Sequence, residues 1–185
     1  ATRPNPAVGC ILAHETADGP IIVGRGWTKV GGRPHGEAEA LRRAGSSAHG
    51  ATAYITLEPC AHHGETPPCA EALIAAGIRR AVIALEDPDK RVNGRGLKLL
   101  QDAGIELVMG VEREAAARLN DGFLKRVQHV LPHLTLKLAT TLDGRIATEN
   151  GQSRWISAEP ARAYVHALRA EHDAVLIGST SVIYD

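Results

Sequence analysis

A chain of 185 residues, 44% apolar and 23% charged, is long enough for one ordinary domain with its own core plus part of another. Its 21 basic residues balance its 21 acidic ones, which excludes a protein that coats nucleic acid and makes a small molecule the expected partner. No apolar run of about 18 residues offers a membrane span, and the opening "ATRPNPAVGC" lacks a secretory pattern, so a cytoplasmic chain with three reduced cysteines is expected.

Residues 7–13, "AVGCILA", and 20–27, "PIIVGRGW", read as strands joined by a turn at Asp18-Gly19. A helix is predicted over 35–45, with Ala38, Leu41 and Ala44 on one face and Gly45 near its end. Residues 51–58 follow as a strand and 69–77 as a helix ending at glycine. "RRAVIALED", 79–87, has the continuous apolar character of a buried parallel strand. A helix over 95–104, a strand over 105–111 and a long helix from Glu112 to Val130 continue the alternation. Such alternation implies an α/β sandwich with helices on both faces of a sheet.

Pro132 breaks that helix and a second pattern begins. Residues 133–148 read as a strand, an Asp-Gly turn and a short strand, and 173–179 as another buried strand. Between them, 157–172 reads as a helix with Ser157 as N-cap and Ala161, Tyr164, Val165 and Leu168 on one face. A boundary near 126–132 divides the chain into domains 1–128 and 129–185, the second without room for a complete sheet. The chain starts without Met and stops just after an apolar run, so both ends are expected to be cuts.

The chemistry concentrates in "LEPCAHHGETPPC", 57–69, and "RPHGEAEAL", 33–41. Cys60 and Cys69 could form a disulfide loop, a redox pair, a structural zinc site or a catalytic one. His35 and Glu37 form H-x-E at the start of a helix, and each thiol stands at an element boundary. One imidazole and two thiolates leave the fourth tetrahedral position of zinc open for water, the mark of a catalytic site. Zinc lowers the pKa of that water toward about 7, and Glu37 is placed to move the proton without binding metal. Zinc deaminases use this combination of H-x-E with P-C and a second Cys. Cys10, inside an apolar strand, reads as a packing residue.

Other polar groups leave two readings open. Asn5, between two prolines, is a turn residue or a contact to a pyrimidine edge. His62 and His63 are solvated loop residues or substrate contacts. Lys90, Arg91 and Arg95 form a solvated basic face or meet a phosphate.

The expanded C-x8-C loop, "EPCAHHGETPPC", together with "RPNPAVGC", closely resembles the deaminase domain of the bifunctional riboflavin-biosynthesis deaminase–reductase family. "DPDKRVNGRG" and "LNDGFLKR" resemble the same family, and the match runs across nearly the whole chain. The resemblance implies a cytidine-deaminase-like three-layer α/β/α domain, then the truncated start of a dihydrofolate-reductase-like α/β domain. It implies hydrolysis of the 2-amino group of 2,5-diamino-6-ribosylamino-4(3H)-pyrimidinone 5′-phosphate, followed by NADPH-dependent reduction of ribosyl to ribityl. By it, His35, Cys60 and Cys69 bind zinc, Glu37 moves protons and Asn5 contacts the base.

"LKLATTLDGRIA", "SRWIS" and "LRAEHDAVLIGSTSV" resemble the family's reductase domain. That places Ala139, Trp155, Ser181 and Asp185 at the nicotinamide cofactor and Ser153 and Arg169 at the ribose phosphate. No G-x-G-x-x-G is present, so a Rossmann site is not implied. The truncated second domain is expected to reduce nothing by itself. Paired domains in the family imply a homo-oligomer. Three departures are Gly36 where Ala is usual, "DPD" for "DPN", and Ser181 for Thr; none removes a catalytic group. Competing readings are a zinc deaminase of a nucleoside or tRNA base, a non-catalytic zinc-stabilised assembly module, and a reductase with a dead deaminase half.

Overall fold

A computed structural model describes residues 2–63, 67–90 and 92–184, and the chain divides between His133 and Leu134 into two units. The first unit is built on five strands: β1 (Gly9–Thr16), β2 (Gly19–Trp27), β3 (Thr52–Ile55), β4 (Arg80–Ile83) and β5 (Glu106–Met109). Their order is β2-β1-β3-β4-β5. β1 runs antiparallel to β2 and β3, whereas β3, β4 and β5 are parallel. The apolar run of β4 suits its central place, with Ala81, Val82 and Ile83 all buried. In β1, a register shift against β2 at Leu12/Ala13 interrupts the alternation, and both side chains are buried.

α1 (Gly36–Ala44) packs across β1 and β2, and two glycines of β2 permit it. A Cβ on Gly24 would stand 2.4 Å from the Ala40 carbonyl oxygen. One on Gly26 would stand 2.0 Å from the Gly36 carbonyl oxygen and 2.5 Å from the Ala40 nitrogen. Helix and strand therefore meet backbone to backbone. The face turned inward is Gly36, Glu37, Ala40 and Ala44, with Leu41 half-buried and Ala38 exposed. Of the expected Ala38–Leu41–Ala44 face, Ala44 is buried and Leu41 half-buried, while Ala38 is exposed: the close backbone approach at Gly36 and Ala40 sets which side of α1 meets β2.

α2 (Cys69–Ala75) joins β3 to β4 and α3 (Arg95–Asp102) joins β4 to β5. Both are crossovers between parallel strands, which right-handedness sends to one face of the sheet. α1 touches α2 and α2 touches α3, so the three form one layer. The core beneath is small and aliphatic: Leu12, Ala40, Ala53, Ile55, Leu57, Ala70, Leu73, Ile83 and Leu100.

The helix expected over 112–130 is two helices, α4 (Arg113–Leu119) and α5 (Asp121–His129). Buried Asn120 divides them. Its Oδ1 accepts the Ala7 N–H at 2.8 Å, and its Nδ2 donates to the carbonyls of Ala7 at 3.1 Å and Ala116 at 3.3 Å. A side chain bonded to backbone in this way competes with helix continuation. Ala116, Ala117, Phe123 and Leu124 then close onto the core.

In the second unit the described residues hold two helices, α6 (Glu159–Ala170) and α7 (Ser179–Tyr184), and no strand. The strands expected over 133–148 and 173–179 are not formed. The Asp143-Gly144 turn is present, with the Thr141 N–H donating to the Arg145 carbonyl at 2.9 Å. A strand exists only by lateral pairing, and here Leu134, Leu136, Leu138, Val175, Leu176 and Ile177 are 53–99% exposed. Nor is Ser157 the N-cap of α6. Ala158 takes that place, which moves Pro160 back into the first turn where proline is tolerated, and the Ser157 carbonyl accepts from Arg162.

Replacing Gly26 with Ala should force α1 away from β2. A destabilisation of about 3 kcal/mol, at the upper end for overpacking, is expected from chemical denaturation; an unchanged midpoint would contradict the backbone-contact account.

Candidate active site

His35 is the N-cap residue of α1, so its ring leaves the chain where loop meets helix. A short loop delivers it: the Lys29 N–H donates to the Pro34 carbonyl at 3.2 Å, and Gly31 and Gly32 turn at φ of 81° and 87°. Cys69 opens α2, and Cys60 closes the segment that leaves β3. The three side chains converge. His35 Nδ1 lies 3.6 Å from Cys60 Sγ and 3.4 Å from Cys69 Sγ, and all three donors fall within 4.8 Å of one another. The cysteines are free thiols, so no disulfide occupies the loop.

The electrostatics favour a thiolate here. The Cys69 thiol, the His35 imidazole and the Cys69 backbone N–H, 3.3 Å away, all stabilise the Cys60 thiolate and lower its pKa to about 4. Cys69 is pushed the other way by its bond to Cys60 and by burial. His35 is raised, chiefly by hydrogen bonding to Cys60. A nitrogen and two sulfurs in this arrangement fit zinc, whose preferred donors they are.

Two carboxylates on α1 have opposite fates. Glu37 is 2% exposed, its Oε2 has no hydrogen-bond partner, and burial raises its pKa to about 7. Its charge is felt by both His35 and Cys69, which places it at the cluster. Glu39 instead receives Arg42 through two hydrogen bonds and Arg43 through another, and its pKa falls to about 2. Only Glu37 is left to exchange protons near neutral pH. At Gly36, between His35 and Glu37, a Cβ would stand 2.7 Å from the Val8 carbonyl oxygen, so glycine seats the H-x-E turn tightly on the start of β1.

Asn5 is exposed and rests on the loop that leads to His35. Its Nδ2 donates to the Gly31 carbonyl at 3.4 Å, in space that a Cβ on Gly32 would occupy. Asn120 holds Ala7, and Arg126 donates to the Pro4 carbonyl at 3.0 Å, so α5 and its N-cap residue fix the segment bearing Asn5. His62 is exposed, and exposed His63 lies 3.5 Å from Glu71. Lys90 and Arg95 are exposed; Arg91 lies outside the described residues. Cys10 is 1% exposed in the core, with a pKa raised by burial and by Glu37.

In the second unit, Ser153 and Trp155 line one groove with Thr141, Arg154 and Ile156. Trp155 is stacked by Arg162, 4.4 Å from its ring centre. Ala139 is half-buried, Arg169 and Ser181 are exposed, and none of the three lines that groove. Asp185 lies outside the described residues.

Sequence reasoning gave no role to Glu58 or Asn120. Both are buried polar residues inside segments that the motifs single out, 57–69 and 119–126, but neither spacing nor periodicity marks them.

Comparison with known proteins agrees with this geometry. Residues 1–85 match the cytidine and deoxycytidylate deaminase zinc-binding region, and residues 132–185 match the RibD C-terminal domain. A zinc-binding deaminase fold followed by the start of a second, RibD-type domain is thus the class to which the chain conforms. The riboflavin biosynthesis protein RibD of Escherichia coli is 50% identical over all of this chain, which covers 49% of that protein. RibD of Aquifex aeolicus is 46% identical, again over the whole chain and 51% of the relative. Among solved structures, RibD of Acinetobacter baumannii superposes with a TM-score of 0.86 at 46% identity, over 100% of this chain and 51% of that one. The diaminohydroxyphosphoribosylaminopyrimidine deaminase/5-amino-6-(5-phosphoribosylamino)uracil reductase of Thermotoga maritima does so with 0.91 at 37% identity, over 100% and 52%. The chain belongs to the RibD family of riboflavin biosynthesis proteins, and it spans about half the length of the curated relatives it matches.

Metal analysis should find one zinc per chain, lost in Cys60→Ser and Cys69→Ser and retained in Cys10→Ala; loss in the last would place Cys10 among the ligands. Glu39 provides a pH test. Its folded pKa, about 2, lies below its ordinary 4.5, so its stabilisation is intact above about pH 4.5 and lost as pH falls through about 2. The stability gap between wild type and Glu39→Gln should therefore shrink over that window in acid titrations.

Proposed function

We propose that the chain is the deaminase-bearing half of a bifunctional riboflavin-biosynthesis enzyme. It hydrolyses the 2-amino group of 2,5-diamino-6-ribosylamino-4(3H)-pyrimidinone 5′-phosphate to a carbonyl and releases ammonia. The observation that carries this reading is Glu37, a buried carboxylate with an unpartnered oxygen beside a three-donor metal cluster. His35, Cys60 and Cys69 hold zinc, which when bound supplies Lewis-acid activation of water near neutral pH. Glu37 accepts one proton from the attacking water and passes it to the ring nitrogen, then takes the remaining hydroxyl proton as the carbonyl forms and delivers it to the departing amine. A carbon–oxygen bond forms, the carbon–nitrogen bond breaks, and ammonia carries the proton away. Asn5 presents its amide to the pyrimidine edge from the Gly31–Gly32 shelf.

In this reading domain 1–128 is the deaminase and 129–185 begins an NADPH-dependent reductase domain of dihydrofolate-reductase type. Within the intact protein, Ala139, Trp155, Ser181 and Asp185 serve the nicotinamide cofactor, and Ser153 and Arg169 serve the ribose phosphate. The family match over 132–185 supports this, as does the groove shared by Ser153 and Trp155. The intact protein works on a small molecule, as a cytoplasmic homo-oligomer. Among the described residues no helix is long and apolar enough to cross a membrane.

Glu37→Gln should keep its zinc while ammonia release from the ribotide falls on the order of 10²–10⁴-fold, the usual worth of a positioned acid–base group. Chelation should abolish release and added zinc restore it. Equal turnover in Glu37→Gln would refute its role, and preferential release from cytidine or single-stranded RNA would reassign the substrate.

A further inference from the structure

Glu58 directly precedes the Pro59-Cys60 pair, is 3% exposed, and has no role in the chemistry above. Its carboxylate collects four backbone N–H groups from one stretch of chain. Oε2 accepts from Asp87 at 3.2 Å and Gly94 at 3.0 Å, and Oε1 from Gly96 at 2.9 Å and Leu97 at 3.4 Å. Only an acceptor-only group can satisfy donors on both oxygens, and an ionised carboxylate is that group. The Glu58 backbone N–H is itself tied to the Leu85 carbonyl at 2.8 Å.

The donors so gathered, Asp87, Gly94, Gly96 and Leu97, lead into α3, and Gly96 lies directly on the residue before Cys60. A Cβ on Gly96 would stand 2.0 Å from the Pro59 carbonyl oxygen and 3.3 Å from Glu58 Cγ. Pro59 is fully buried beneath it. On the far side, the Cys60 carbonyl accepts the Ala70 N–H at 3.1 Å and Cys60 Sγ accepts the Cys69 N–H. Segment 58–60 is thus clamped between the start of α3 and the start of α2. On the α3 side the clamp is made by the Glu58 carboxylate.

We infer that Glu58 is a positioning residue for the metal centre: by fixing Asp87, Gly94 and the first turn of α3 against Pro59, it sets where Cys60 Sγ stands relative to His35 and Cys69. This rests on the zinc reading of the cluster. A supporting group one step behind a ligand typically changes metal affinity 10–100-fold when altered.

The test uses the intact protein with Zn²⁺ or Co²⁺ alone as probe. Glu58→Gln keeps the shape but turns an NH₂ toward two backbone N–H donors, so two of the four bonds are lost. It should weaken Zn²⁺ binding about 10–100-fold in chelator competition and shift the thiolate-to-Co²⁺ absorption bands. Glu58→Asp, still acceptor-only, should fall between it and the wild type. A folded Glu58→Gln with wild-type affinity and an unchanged cobalt spectrum overturns the inference and leaves the zinc site standing. A wild type that binds neither ion overturns the site itself. If Glu58→Gln does not fold, Gly96→Ala strains the same contact from the opposite side, and unchanged affinity and spectrum there overturn the inference equally.

Discussion

The first unit depends on the contact between α1 and β2, where helix backbone lies directly on strand backbone. Gly24 and Gly26 make it possible, and no side chain separates the two. The consequence reaches the chemistry at once, because the Gly36 carbonyl that faces Gly26 belongs to the residue between His35 and Glu37. The depth at which α1 sits thus governs both the imidazole and the carboxylate. Burial of Glu37 follows from helix seating, and the raised proton affinity of Glu37 follows from burial.

A second constraint separates charge from chemistry. Glu37 and Glu39 stand one residue apart on one short helix, yet one carboxylate is pushed toward neutral pH and the other far below it. The difference lies in the surroundings: two guanidinium groups hold Glu39 down, whereas burial pushes Glu37 up. Balanced overall charge therefore coexists with a strongly organised local field.

Much of this was legible in the residues. Alternation at Cys10–Leu12, the apolar run at 80–83 and the glycines closing helices placed the first unit's elements within a few residues. His35, Cys60 and Cys69 were readable because metal chemistry demands particular atoms, and the structure brings those atoms together. What escaped was decided by packing at a distance. The buried face of α1 depends on where β2 lacks side chains, and the break at Asn120 depends on Ala7, far away in sequence. Glu58 looked like the end of a strand because its four partners, Asp87, Gly94, Gly96 and Leu97, arrive from far along the chain. In the second unit, Leu134–Leu138 and Val175–Ile177 carry strand-like patterns, but pairing is a property of neighbours.

The tie between Asn120 and Ala7 bears on the order in which the molecule assembles. The amide spans 113 residues to reach Ala7, and Arg126 spans 122 to reach Pro4. During synthesis, the sheet from β1 to β4 can pair once residue 83 has left the ribosome. The arm carrying Asn5 can be latched only after residue 126 has followed it. Long-range closure of this kind comes late because its entropic cost must be met first. The emerging chain can thus bring His35, Cys60 and Cys69 together before the segment bearing Asn5 is tied to α5.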